Sequence, residues 1–158
     1  MESTWIDRGI YNMIADRFGV YQGFQWCQSS YAPLARASLL VCKDERGHSN
    51  MGYIHVRQGI EMEGEEGRAY AQKRIDEYWY PQFMASFGSD TSRNSKAWRR
   101  WGLKMLTNGQ MRDAFHLEMV EVLDSLGLVA PDKDEAQQRG DEMAAAVKAK
   151  MSGMAQSA

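Results

Sequence analysis

Residues 4–61 read TWIDRGIYNMIADRFGVYQGFQWCQSSYAPLARASLLVCKDERGHSNMGYIHVRQGIE, and the fold turns on this stretch. Apolar residues recur at helical spacing through Trp5, Ile6, Ile10, Met13, Ile14, Phe18 and Phe24, which predicts a first helix over residues 4–28. Ser29-Ser30-Tyr31-Ala32-Pro33 is a turn signal. Pro33 suits the first turn of the next helix, where a missing N–H costs nothing. A second helix is expected over residues 33–61, broken by Glu63-Gly64-Glu65-Glu66-Gly67. The two helices make a long antiparallel hairpin.

That hairpin carries a geometric consequence. With Tyr31 as the turn centre, Asp16 lies 15 residues before it and Glu45 lies 14 after it. At a rise of ~1.5 Å per residue, both stand roughly 21–23 Å from the turn and are level across the pair. His48 follows Glu45 by three residues and so shares its face. A Glu-x-x-His helix beside a helix bearing a carboxylate is half of a carboxylate-bridged di-metal site. Carboxylate oxygen and imidazole nitrogen together suit iron, manganese or zinc. A single Glu-x-x-His also arises by chance on solvated helix faces; the level Asp16 favours the metal reading without settling it.

The rest of the chain sets bounds. Its 158 residues suffice for one domain, and a net charge of -2 makes no broad electrostatic case for nucleic acid or an anionic membrane. No apolar run approaches the ~20 residues of a membrane span. Residues 1–8 lack a signal pattern, and Cys27 and Cys42 form neither a disulfide framework nor a thiolate metal site. The expectation is a soluble cytoplasmic protein with free thiols. Three prolines in the whole chain favour helix, no strand is evident, and the predicted class is all-α.

Downstream, a third helix is expected over residues 68–83, tolerating or kinking at Pro81, then a loop over 88–94. A short helix from Ser95 to Met105 and another from Asn108 or Gly109 to Leu126 follow, the latter capped by Gly127. The expected division is a half-bundle domain, 1–132, and a polar tail, 133–158, forming either a peripheral helix or frayed chain. Asp113 and His116 imitate a second carboxylate-x-x-His but read as a surface pair, and His55 as a hydrogen-bonded histidine of the hairpin. Arg93, Lys96, Arg99, Arg100 and Lys104 cluster around Trp98 and Trp101, and one reading of them is a site for a phosphate group. A solvated helix with its tryptophans packed inward is the favoured reading. Tyr78, Trp79, Tyr80 and Phe83 read as core and interface.

These residues resemble a known family. Cys27-Gln28-Ser29-Ser30-Tyr31-Ala32-Pro33-Leu34-Ala35-Arg36-Ala37 is similar to the Cys-x-x-Ser-Tyr-x-Pro-x-Ala-Arg-Ala run in the catalytic subunits of ring-1,2-phenylacetyl-CoA epoxidases, which are ferritin-like di-iron monooxygenases. Cys42-Lys43-Asp44-Glu45-Arg46-Gly47-His48 resembles their second Glu-x-x-His helix. Ile75, Trp79 and Pro81, Phe87-Gly88, Asn94-Ser95, Trp101, Thr107-Asn108, Leu126-Gly127 and Pro131-Asp132 follow in the family's order. The resemblance covers residues 5–132 and the C-terminal half of such a protein. It implies a ferritin-like half-bundle, a long hairpin with additional C-terminal helices.

The resemblance places Asp16, Glu45 and His48 at metal-ligand positions of the third and fourth core helices, and no ligand at His55, Asp113 or His116. It implies a di-iron centre that activates O2 and oxygenates an aromatic acyl-CoA such as phenylacetyl-CoA. A separate reductase would supply electrons, and a non-catalytic ferritin-like subunit would be a further partner. The family's first two core helices, with their own Glu and Glu-x-x-His, have no counterpart here. Three ligands cannot hold two irons, so another chain must supply two helices, either a distinct partner or a second copy of this one. The alternative is a non-catalytic assembly subunit or a truncated fragment of such an enzyme.

Overall fold

Thr4 opens the first helix by accepting the Asp7 N–H on its hydroxyl at 3.1 Å. In the computed structural model, which describes residues 4–155, this helix is α1, Trp5–Trp26. A tight turn, in which Ser29 Oγ accepts the Tyr31 N–H at 3.2 Å, leads into α2, Ala32–Arg74, with Pro33 in its first turn. The antiparallel hairpin is therefore as expected, but α2 is longer. The break expected at residues 63–67 is a kink: Gly64 adopts φ 63°, ψ −136°, a backbone that residues bearing a Cβ avoid, and the helix then resumes.

Close approach of α1 and α2 depends on glycine. A Cβ on Gly52 would lie 2.7 Å from the Gly9 carbonyl oxygen and 2.8 Å from the Asn12 carbonyl carbon, so α2 rests directly on the α1 backbone. Ser49, one turn earlier, donates its hydroxyl to the Met13 carbonyl at 3.3 Å.

The helix after Gly64 reaches Pro81 through a widened turn. Residues Ile75–Trp79 are π-helical, with the Tyr80 N–H donating to the Ile75 carbonyl, and α3 is Tyr80–Ser86. Pro81 lacks an N–H and its ring crowds the preceding turn; a π-turn absorbs both effects without ending the helix. α4 is Arg93–Arg100, earlier at both ends than expected: Ser92 caps it by accepting the Ser95 N–H, and Gly102 (φ 66°) turns the chain. α5 is Asn108–Asp124, opened by a reciprocal capping box between Thr107 and Gln110. It closes at Gly127 (φ 67°), where the Leu128 N–H returns to the Leu123 carbonyl at 2.9 Å. Residues 133–155 form a helix, α6, Lys133–Ala155. It lies against α3 through buried Ala136 and through Gly140, where a Cβ would overlap the Pro81 carbonyl. Among the described residues the fold is all-α, without strand.

The core lies on one side of the hairpin. Ile6, Ile10, Met13 and Ile14 of α1 join Val56 and Ile60 of α2, Ile75, Tyr80 and Met84, and Met111, Phe115, Met119 and Leu123 of α5. Phe18, Phe87 and Phe115 stack edge to face or tilted through this layer, with centroids 4.8 and 5.5 Å apart. A buried ion pair ties the start of α1 to the π-turn: Asp7 Oδ1 accepts from Arg74 Nε at 2.6 Å and from Trp79 Nε1 at 2.8 Å. Burial pushes the Asp7 carboxyl up, but the Arg74 and Trp79 hydrogen bonds outweigh it and hold it below its ordinary value.

One expectation is corrected. Trp98 and Trp101 do not pack inward; they are 44% and 72% exposed. The two-turn α4 buries Ser95, and the Gly102 turn carries Trp101 outward. Lys104 is the basic residue that goes in, 4% exposed and donating to the Asn108 side chain. Tyr80 is fully buried, Trp79 and Phe83 pack at the core's edge, and Tyr78 is exposed. No helix among the described residues is long and apolar enough to cross a membrane.

Candidate metal centre

Two glycines set how α2 lies on α1 near the turn. A Cβ on Gly23 would come 2.6 Å from Cys42 Sγ, and one on Gly19 would come 3.1 Å from Glu45 Cδ. With neither present, the Glu45 side chain lies along α1 and reaches Asp16. Asp16, Glu45 and His48 each offer a donor atom within 4.8 Å of the others. Asp16 and Glu45 are half-buried and His48 is exposed, so the cluster opens to the side of the hairpin away from the core. Val41 and Met51, on the His48 side of α2 by helical spacing, are also exposed.

The electrostatics of this cluster suit a cation. The Asp16 carboxyl is pushed up to about 6, first by burial and then by the charge of Glu45, with His48 opposing and a hydrogen bond to Glu45 adding to the rise. Two carboxylates and an imidazole thus converge with negative charge crowded between them. A hard or borderline divalent metal relieves that crowding and matches the donor set. Three donors amount to one carboxylate plus one Glu-x-x-His, which is half of the complement that a di-metal bundle site takes from four helices.

The other sequence candidates are committed elsewhere. His55 packs against Trp5, ring centroids 4.3 Å apart. Asp113 accepts from Lys133 Nζ at 2.6 Å, and His116 Nδ1 lies 2.6 Å from the Tyr80 hydroxyl. Burial, then the Lys133 charge, holds His116 below its ordinary value. Neither Asp113 nor His116 belongs to the Asp16 cluster, and the two bond different partners instead of forming the surface pair expected: half-buried His116 is tied into the core by Tyr80.

Sequence reasoning missed the flank on the core side. Arg17 follows Asp16 and Arg46 follows Glu45, each turned about 100° around its helix. With Val20, Tyr21, Phe24, Ser49, Asn50 and Glu118 they line a cavity of about 340 Å³. Buried Arg17 pairs with Glu118 of α5, which also accepts from the Tyr21 hydroxyl at 2.7 Å. Only the fold brings residues 17 and 118 together; no local pattern announces the pair.

The family model described as phenylacetic acid catabolic protein matches residues 1–158. The chain is 31% identical over 136 residues to one of the subunits of 1,2-phenylacetyl-CoA epoxidase from Escherichia coli (strain K12). That match covers 83% of this chain and 42% of the relative, so the chain spans about two fifths of that protein's length.

Proposed function

The chain belongs to the phenylacetic acid catabolic protein family, and on that basis we propose that it is one half of a di-iron oxygenase component acting on an aromatic acyl-CoA of the phenylacetyl-CoA type. The observation that carries this reading is the convergence of Asp16, Glu45 and His48 within 4.8 Å on the open side of the hairpin. The relative's name supports the reaction and substrate class; its belonging to a multi-chain enzyme supports the need for other chains.

In this reading Asp16 and Glu45 are the oxygen donors and His48 is the imidazole donor. The two carboxylates neutralise the metal's charge, and Gly19 leaves Glu45 room to lie against α1. Iron bound there supplies the O2 chemistry that side chains alone cannot perform. A partner chain brings two more helices with a further carboxylate and Glu-x-x-His, covers Val41 and Met51, and closes the site to water. Electrons come from a separate reductase, and a non-catalytic ferritin-like subunit completes the assembly.

The test combines native mass with metal analysis of the purified assembly. The expected result is iron bound at the completed bundle and lost in Glu45→Ala, with helix content by circular dichroism unchanged. Iron stoichiometry unaffected by Glu45→Ala would overturn the ligand assignment. An assembly that incorporates this chain but takes up no iron would give it a purely structural role.

A further inference from the structure

Cys27 and Cys42 face each other across the hairpin with their sulfurs 3.8 Å apart. We propose that they form a reversible disulfide clasp, closed by hydrogen peroxide, that ties the C-terminal end of α1 to α2 one helical turn from Glu45.

Three features of the structure support this. The contact joins the residue that terminates α1 to one well inside α2, so the two sulfurs are held near each other by helical backbone and not by a mobile loop. The cysteines are free and half-buried, within reach of a small oxidant but sheltered from a second protein's thiol. The space is also shaped for the contact: the missing side chain at Gly23 is what lets Cys42 Sγ lie against α1. Neither thiol is tightly engaged otherwise. Cys27 donates to the Gly23 carbonyl at 3.4 Å and Cys42 to the Val20 carbonyl at 3.8 Å, both weak sulfur contacts.

The order of events follows from their surroundings. Burial first, then the hydrogen bond with Cys27, pushes the Cys42 thiol up to about 11, so Cys42 stays protonated and Cys27 meets the oxidant. The Cys27 sulfur attacks one peroxide oxygen; an S–O bond forms, the O–O bond breaks, and hydroxide leaves to become water with the thiol's proton. Cys27 is then a sulfenic acid. The Cys42 sulfur attacks it; the S–S bond forms, the S–O bond breaks, and the departing hydroxide takes the Cys42 proton as a second water. Two thiols are oxidised and one peroxide is reduced to two waters. A thiol reductant reverses the step.

The experiment treats the full-length protein with equimolar hydrogen peroxide, metal-free, so that its outcome does not depend on the iron assignment. The expected product is a monomeric chain lighter by two hydrogens, with both thiols lost together, a raised Tm, and recovery of all three properties in dithiothreitol. Cys42→Ser should stop at a dimedone-reactive sulfenic acid on Cys27, and Cys27→Ser should leave Cys42 unreacted. Wild-type chains that gain oxygen on either cysteine without losing two hydrogens, or that cross-link to one another, would overturn the proposal.

Discussion

Gly52 and Gly47 stand five residues apart on α2 and make opposite predictions for the same added methyl group. At Gly47 a Cβ meets nothing within 4 Å, so Gly47→Ala changes only backbone preference. Alanine is favoured over glycine in a helix by about 1 kcal/mol, so this variant should be more stable by up to that amount. At Gly52 the same methyl lies 2.7 Å from the Gly9 carbonyl oxygen and 2.8 Å from the Asn12 carbonyl carbon, and is closer still to the Met13 nitrogen. Backbone atoms inside a helix cannot rotate away as a side-chain tip can. Relieving the tightest of these contacts, with the Met13 nitrogen, requires the helices to part by about 1 Å, which forfeits up to half of each dispersion well along the seam. Overpacking of this kind costs about 1–3 kcal/mol, and three backbone contacts put Gly52→Ala at the upper end. After the helix-propensity gain, the net loss is about 2 kcal/mol, so the two variants should differ by about 3 kcal/mol. Urea denaturation of both, at equal m-value, measures the difference directly. Because Gly52 is one turn past His48, a folded Gly52→Ala should also hold metal less tightly than Gly47→Ala. Equal stability of the two variants would refute the direct contact of α2 with the α1 backbone, and with it the seam that levels Asp16 with Glu45.

Asp7→Asn leaves the half-buried Arg74 without its charge partner and should cost about 3 kcal/mol near neutral pH. The Asp7 carboxyl is held below its ordinary 3.8, so its stabilisation is fully present above that value and is lost as pH falls through the folded-state value. The wild-type Tm should therefore fall more steeply than that of Asp7→Asn as pH is lowered below about 4, and parallel curves would count against the pair. Gly64→Ala places a Cβ in open space, so its whole cost is backbone. At φ 63°, ψ −136° that cost should be about 1–3 kcal/mol, read as a lower Tm; an unchanged or higher Tm would mean that the kink is not required for packing.

How much of the fold is legible in the sequence varies with the range of the interaction involved. Pro33 and Gly127 act within a turn of their own position: Pro33 stands in the first turn of α2 as the sequence places it, and Gly127 turns the chain just after α5, which stops at Asp124, two residues short of the expected end. Gly64 reads in the sequence as a disruption but not as a kink, because whether a helix resumes beyond a glycine depends on what the next segment packs against. Trp98 and Trp101 mislead because hydrophobicity alone does not say which way a two-turn helix faces; the Gly102 turn and the burial of Lys104 decide that.

The sequence alone determined the hairpin and the level of its three donors, since a turn signal at residues 29–33 and a constant helical rise leave little freedom in where Asp16 and Glu45 meet. Only tertiary structure decided which contacts surround them. Asp7 with Arg74 and Trp79, Arg17 with Glu118, and Cys27 with Cys42 depend on the rotational phase of one helix against another. That phase is set by glycines through which backbones touch and by a core drawn from α1, α2, the π-turn, α3, α5 and α6. No local pattern encodes it, because it is the sum of packing across the whole chain.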